Sequence, residues 1–137
     1  MTKLTQFQVA QLINRPKPLW LVNLDFSGLS LSNTDLKNAD LSGAVLVETD
    51  LSNAEMTGAN LVAANLSRAD LRDTKLMYAK FQHANLEGAH LEGANCVGAI
   101  FSGANLQGVS FKGANIHDAN LEGAIFGNTM MPDGEIR

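Results

Sequence analysis

Large nonpolar residues recur at every fifth position of this chain, without interruption from Phe26 to Phe126. These 21 positions hold 13 Leu, five Phe, one Met, one Cys and one Ile, and none is polar. The residue two places earlier is small at most units and never charged: 15 Ala, three Thr, two Leu and one Val fill those sites. Because no insertion breaks the phase, the chain repeats one five-residue structural unit.

A five-residue period fits neither an α-helix nor a plain strand. A helix repeats every 3.6 residues, so a strict period of five would spread the nonpolar residues around it. A plain strand alternates every two residues, so successive large residues would fall on opposite faces. The chain therefore turns a corner once per unit, and the large and small nonpolar residues, two apart on an extended backbone, both point inward.

Glycine marks one position of the unit, two residues after the large nonpolar residue, where it occupies 10 of 21 sites. A turn that starts at the large residue places this site third, where a type II turn needs positive φ. The series from Gly88 to Gly113 therefore predicts type II corners. Positive φ strains residues such as Glu48, Arg68 and Tyr78, which occupy the same site elsewhere, so other turn types are expected in the first half.

The unit A-[DN]-L-x-x, seen as ANLEG at residues 84–88 and again at 119–123, resembles the repeat of the pentapeptide-repeat family. The resemblance covers residues 21 to 131. It implies an all-β fold, a right-handed quadrilateral β-helix with four units per coil, whereas the period alone would also permit a triangular coil. With four units per coil, the repeats build about five coils, stacked at the spacing of β-strands.

The segment before the repeats has the pattern of a capping helix. The segment 2–14 has the nonpolar pattern of a short amphipathic helix over the first coil, and Thr5 and Gln8 are spaced as a capping box. Its nonpolar residues are Leu4, Phe7, Val9, Leu12 and Ile13. A Pro-Asp-Gly turn follows residue 131, and we expect both ends of the coil stack to be covered. The chain is expected to form a single pentapeptide-repeat domain, 1–137, with an N-terminal cap and linker 1–18, a solenoid 19–131 and a C-terminal tail 132–137.

The composition narrows the possible functions. The 137 residues carry a net charge of −4, which is too mild for a nucleic-acid-binding protein. One cysteine excludes an internal disulfide framework. No apolar run is long enough to span a membrane, and the N-terminus lacks the pattern of a signal peptide. We expect a cytoplasmic protein that contacts neither membranes nor nucleic acid directly.

Few residues offer chemistry. The sequence has no phosphate-binding loop, nucleophile elbow or dinucleotide motif, so neither catalysis nor a cofactor or metal is expected. Cys96 fills a core position and is interpreted as an inert thiol. Asp50 and Asp70 stack beside His90, and we interpret them as solvated surface acids without a pocket. The outward Asn residues at positions 65, 85 and 105 are expected to form a hydrogen-bonded ladder along the coils.

The charges lie in bands, and the basic band contains a candidate interface. The net charge is −5 over residues 21–60, +2 over 61–85 and −3 over 86–128. In the coil of the basic band, Met77 and Tyr78 lie at outward or corner positions, and Val97 is expected to stack over Met77. Basic, aromatic and Met neighbours are typical of interface hot spots. The candidate partner-binding residues are Arg72, Lys75, Met77, Tyr78 and Val97.

Two functions are compatible with this sequence. The first is a non-enzymatic scaffold that binds an unidentified protein partner through its outer faces, either as a monomer or as a homodimer joined at the C-terminal ends. The alternative follows from the resemblance, since some family members mimic DNA and bind a type II topoisomerase, DNA gyrase. Mimicry predicts that DNA supercoiling by gyrase falls when the protein is added. The charge bands count against mimicry, because a DNA duplex as long as this rod would carry roughly 15 negative charges and no positive band.

Overall fold

The computed structural model describes residues 2–137 and contains one helix, α1 (Gln6–Ile13). The rest of the described chain turns repeatedly and pairs through single-residue β-bridges. From Trp20 onward the parallel bridges join residues twenty positions apart, as in the column that runs from Asp25 to Ile125. Four five-residue units therefore separate stacked residues, so each coil has four sides.

Backbone hydrogen bonds hold each coil to the next. The N–H of Phe26 donates to the carbonyl of Val45 over 2.8 Å, and the N–H of Gly28 donates to Val47 over 2.9 Å. In the opposite direction, the N–H of Val45 donates to Leu24 over 2.9 Å. Every unit of the middle coils repeats this pattern, so these bonds satisfy most of the polar backbone although no long strand exists.

The core is filled by the large nonpolar residues and the small residues beside them. Every large residue from Phe26 to Phe111 is 0% exposed. Phe81 and Phe101 stack in adjacent coils with their ring centroids 4.8 Å apart. The small position is buried Ala at most units, because a larger side chain would overpack the narrow interior.

The corners correct the expectation of two turn types. The third residue of the turn has positive φ in both halves, at 55° for Glu48 and Arg68 and 60° for Tyr78, close to the 67–70° of the corner glycines from Gly88 to Gly123. Most corners also carry the hydrogen bond from the fourth residue back to the first, as from Ala69 to Leu66. The left-handed conformation costs a non-glycine residue about 1–2 kcal/mol. The ladder bonds on both sides of each corner enforce that conformation.

The outward Asn and Asp residues have a role that the sequence pattern did not suggest. At all twelve units with Asn or Asp before the large residue, the side-chain Oδ1 accepts a hydrogen bond from the backbone N–H two residues later. That N–H points away from the ladder, so the side chain satisfies it locally. The expected Asn ladder is reduced to one bond between coils, from Asn105 Nδ2 to Asn85 Oδ1 at 3.3 Å.

The N-terminal residues complete the hydrogen bonds of the first coil. Helix α1 begins with the predicted capping box between Thr5 and Gln8, and its Val9 is fully buried. The Gln6 side-chain amide both donates to the carbonyl of Ser30 and accepts from its N–H, each over 2.8 Å. The ammonium group of Lys17 donates to the carbonyl of Asp35 over 2.7 Å. These groups occupy bonding positions that a preceding coil would otherwise fill.

The C-terminal end differs, and the expectation that both ends are covered is wrong there. Residues 129–137 fold back as an antiparallel pair, with Thr129 and Arg137 exchanging two backbone hydrogen bonds. Met131 is buried, but the pair leaves the large residues Ile116, Leu121 and Phe126 half-buried. The tail is too short to cover all four sides of the last coil.

Helix α1, the one helix in residues 2–137, lacks the length and hydrophobicity needed to cross a membrane.

Candidate partner-binding surface

Four of the five predicted binding residues lie together. Lys75 and Met77 point outward from the same side of one coil, and Val97 stacks twenty residues after Met77. Tyr78 stands at the corner that ends this side, and its N–H donates to the carbonyl of Val97 over 2.9 Å. Met77 and Val97 are half-buried, whereas Tyr78 is 63% exposed.

The fifth residue, Arg72, lies on the neighbouring side of the coil, beyond the corner at Asp73. Its guanidinium donates two hydrogen bonds to the Asp70 carboxylate, from Nε to Oδ1 at 2.9 Å and from Nη2 to Oδ2 at 2.7 Å. The same hydrogen bonds lower the pKa of Asp70 and raise that of Arg72. The charge of Arg72 is therefore compensated within its own repeat.

Tyr78 rests on a glycine of the next coil. A Cβ on residue 98 would stand 2.6 Å from Cε1 and 2.7 Å from Cδ1 of the Tyr78 ring. Glycine has no Cβ, so it leaves room for the ring in this position. The aromatic ring is therefore supported on one side by the backbone of Gly98 while its other side remains accessible. His83 lies over Gly103 in the same manner at the next corner of its coil.

This arrangement recurs at six corners and was missed by sequence reasoning, which assigned the corner glycines to positive φ alone. A bulky corner side chain lies over the corner residue twenty positions later, and glycine leaves room for it. A comparison of corner residues at a spacing of twenty would have shown this relation. The glycines with a corner side chain over them are Gly43, Gly58, Gly88, Gly93, Gly98 and Gly103.

The structure adds Lys80 and Ile100 to the surface, together with Gly98 beneath the Tyr78 ring. After the Tyr78 corner the chain continues to Lys80, which is exposed, and Ile100 is its half-buried bridge partner in the next coil. We use the name Tyr78 corner for the surface formed by Met77, Tyr78, Lys80, Val97, Gly98 and Ile100, flanked by Lys75. It is apolar at its centre and has a lysine on each side.

The basic band is largely compensated by ion pairs with neighbouring acids. Nη2 of Arg68 lies 2.7 Å from Oε1 of Glu48 in the preceding coil, and Nζ of Lys75 lies 3.9 Å from Oε2 of Glu55. These charged groups are exposed, and such pairs contribute at most about 1 kcal/mol each. Within residues 2–137, Lys80 takes part in no ion pair.

The remaining candidate groups are either buried or held by neighbours. Asp50, Asp70 and His90 stack in one column of bridges, as expected, and each contacts a residue two positions later in the chain. Cys96 is buried, and its burial raises the pKa of the thiol to about 12, as expected for an unreactive core cysteine. Asp50 binds the hydroxyl and N–H of Ser52, so its carboxylate is occupied locally. His90 lies 3.4 Å from Glu92 at the surface. Across residues 2–137, no three His, Cys, Asp or Glu residues are grouped closely enough to hold a metal ion.

Comparison with known proteins agrees with this geometry. The family model described as "Pentapeptide repeats (8 copies)" matches residues 21–58, 54–93 and 89–128. The chain belongs to the pentapeptide-repeat family. Membership of that family implies a right-handed quadrilateral β-helix, and the twenty-residue spacing of the bridges agrees with four units per coil. A search of the curated proteins finds no match to the sequence.

Solved pentapeptide-repeat proteins resemble the chain over most of its length. One is Rfr23 from the cyanobacterium Cyanothece 51142, with 32% identity, a TM-score of 0.64, and coverage of 77% of this chain and 82% of that one. Another is a trypsin-treated variant of QnrB1, a plasmid-mediated fluoroquinolone resistance protein, with 22% identity and a TM-score of 0.51. That alignment covers 82% of this chain and 62% of the QnrB1 chain, and it supports the shared fold alone.

Proposed function

We propose that this pentapeptide-repeat protein is a non-enzymatic scaffold that binds a protein partner through its outer faces. The observation that carries the proposal is the filled core, in which the large residues from Phe26 to Phe111 are fully buried. Contacts with other molecules are then made by the outer surface and the ends. The proposal includes a cytoplasmic location, the single domain 1–137 and about five coils capped by the N-terminal segment.

Among the outer surfaces, the Tyr78 corner has the composition that protein interfaces favour. Tyr and Met are enriched at the centres of interfaces, and a polar rim surrounds such centres. Here Tyr78, Met77 and Val97 supply the apolar centre, and Lys75 lies beside them. Arg72 stands one side away and would contact only a partner that extends around the Asp73 corner.

Photo-crosslinking in the native cells tests the scaffold function. p-Benzoylphenylalanine replaces Tyr78 in one variant and His83 in another, because both residues rest on a corner glycine. We expect a discrete protein adduct from position 78 after irradiation, identified by mass spectrometry, and none from position 83. Absence of protein adducts at both positions would contradict the interaction function, whereas an adduct at 83 alone would move the interface to another corner.

DNA mimicry has less support from the surface. Mimicry requires a continuous negative field along the rod, with about one charge per 1.7 Å of duplex. Instead, basic residues of one coil pair with acids at Glu48, Glu55 and Asp70. The likeness to QnrB1 lies at the level of the fold and does not extend this resistance function to the chain.

Self-association is part of the proposal, and the half-buried C-terminal end favours the homodimer over the monomer. Ile116, Leu121 and Phe126 form an apolar end face on the last coil. We expect wild-type protein to sediment with a dimer mass at micromolar concentration and Leu121→Lys to sediment as a folded monomer, checked by circular dichroism. A wild-type monomer mass that does not change with concentration would contradict the dimer.

A further inference from the structure

We infer that the Tyr78 corner binds an acidic polypeptide segment that carries an aliphatic or aromatic side chain among its carboxylates. This inference rests on the proposed function, because it names the kind of partner that the scaffold binds. It is carried by three features of the corner: a supported aromatic ring, an apolar strip on both sides of the ring, and two flanking lysines.

The supported ring makes the corner a preorganised contact. Tyr78 has a φ of 60°, fixed by the ladder bond from its N–H to Val97, and its ring lies against Gly98. An exposed Tyr normally loses side-chain freedom on binding, which weakens the affinity. Because the backbone of Gly98 already restricts this ring, much of that loss occurs before a partner arrives.

The apolar strip runs around the corner beneath the ring. Met77 and Val97 lie on one side, and Ile100 lies on the other, each half-buried. Together with the exposed ring they present a convex ridge. A partner side chain such as Leu or Phe buries apolar area on both flanks of this ridge, which provides most of the attraction.

The lysines determine the sign of the partner's charge. Lys80 takes part in no ion pair within residues 2–137, and Lys75 lies 3.9 Å from its one acidic neighbour, Glu55. Lys80 is therefore available to a carboxylate of the partner, whereas Lys75 shares its charge with Glu55 through a long, exposed ion pair that contributes little. Two lysines are too few for a phosphate backbone, which is bound through many cations, so the corner favours an acidic peptide.

Selection from a phage-displayed random peptide library tests this inference. Wild-type protein is the bait, and selected peptides are then titrated against Tyr78→Ala, His83→Ala and the double variant Lys75→Glu, Lys80→Glu. We expect enrichment of peptides with a Leu, Ile, Phe or Trp flanked by Asp or Glu. The Tyr78→Ala change is expected to weaken binding at least about 30-fold, which corresponds to a hot-spot residue.

Two controls make the result decisive. His83→Ala also removes a ring that rests on a corner glycine, and Lys80 flanks this corner too, but the polar Gln82 and Ser102 stand here in place of Met77 and Val97. Because the apolar strip is missing, we expect less than about a threefold change. The double variant Lys75→Glu, Lys80→Glu is expected to weaken the binding of acidic peptides about tenfold. Thermal melts of all variants check that they are folded.

Other results would overturn the inference. These are the enrichment of basic peptides, the absence of any peptide whose binding depends on Tyr78, or the binding of an oligothymidylate in a Tyr78-dependent manner. Peptides that bind another face would leave the scaffold function in place while removing this corner from it. The inference and the proposed function therefore fail on different observations.

Discussion

Replacing Leu86 with Asp is expected to abolish folding. Leu86 is 0% exposed, and its N–H donates to Asn105 while its carbonyl accepts from Ala89, so its backbone position is fixed in the ladder. A carboxylate at that position would lie in the dry core without a partner, at a cost comparable to the whole stability of a typical domain. Circular dichroism and size-exclusion chromatography of the variant measure the result.

Graded substitutions separate charge from volume. Leu86→Ala is expected to lower the free energy of unfolding by about 2–5 kcal/mol, and Leu86→Met by less than about 1.5 kcal/mol. Leu121→Ala removes the same side chain from the half-buried last coil and should have a smaller effect. Equal losses at Leu86 and Leu121 in urea titrations, or a folded Leu86→Asp variant, would contradict this account of the core.

Replacing Gly98 with Ala is expected to destabilise the protein more than the same change at Gly113. Both glycines have positive φ, at 67° and 70°, so each substitution carries about 1–2 kcal/mol of backbone strain. At Gly98 the new Cβ also meets the Tyr78 ring, whereas at Gly113 no atom lies within 4 Å. Overpacking of this kind adds about 1–3 kcal/mol, measured by chemical denaturation.

A double-mutant cycle isolates the contact with the ring. In a Tyr78→Ala background the Cβ at position 98 has no ring to displace, so the Gly98→Ala penalty should fall to that of Gly113→Ala. Independent, additive effects of the two substitutions would show that the ring does not rest on Gly98 in solution. That result would also remove the preorganised contact on which the Tyr78 corner depends.

The core and the register could be predicted because they repeat. A large nonpolar residue at every fifth position, with a small one two places before it, admits only a coil that turns once per unit, and the twenty-residue spacing came with the family resemblance. The bridges and the burial of Leu66 and Phe101 agree. The capping box at Thr5 and Gln8 was equally visible, because it is a local pattern.

The corners and surface contacts depended on neighbours that lie twenty residues away. Propensity predicted separate turn types, but the ladder imposes one backbone conformation on Glu48 as on glycine. The sequence shows a net charge of +2 over residues 61–85, but only the structure shows that Arg68 and Arg72 each contact an acidic side chain. The candidate surface also depended on which side of the coil each residue occupies, so Arg72 separated from Tyr78 while Lys80 and Ile100 joined it.

The sequence by itself determined the periodic interior of this protein, because burial of apolar side chains acts on each unit in the same way. Only the tertiary structure decided where the surface is sealed or open. The Gln6 amide closes the first coil at Ser30, while the short tail leaves Leu121 half-buried at the other end. Those differences arise from single hydrogen bonds and close contacts between coils, which a repeat pattern does not encode.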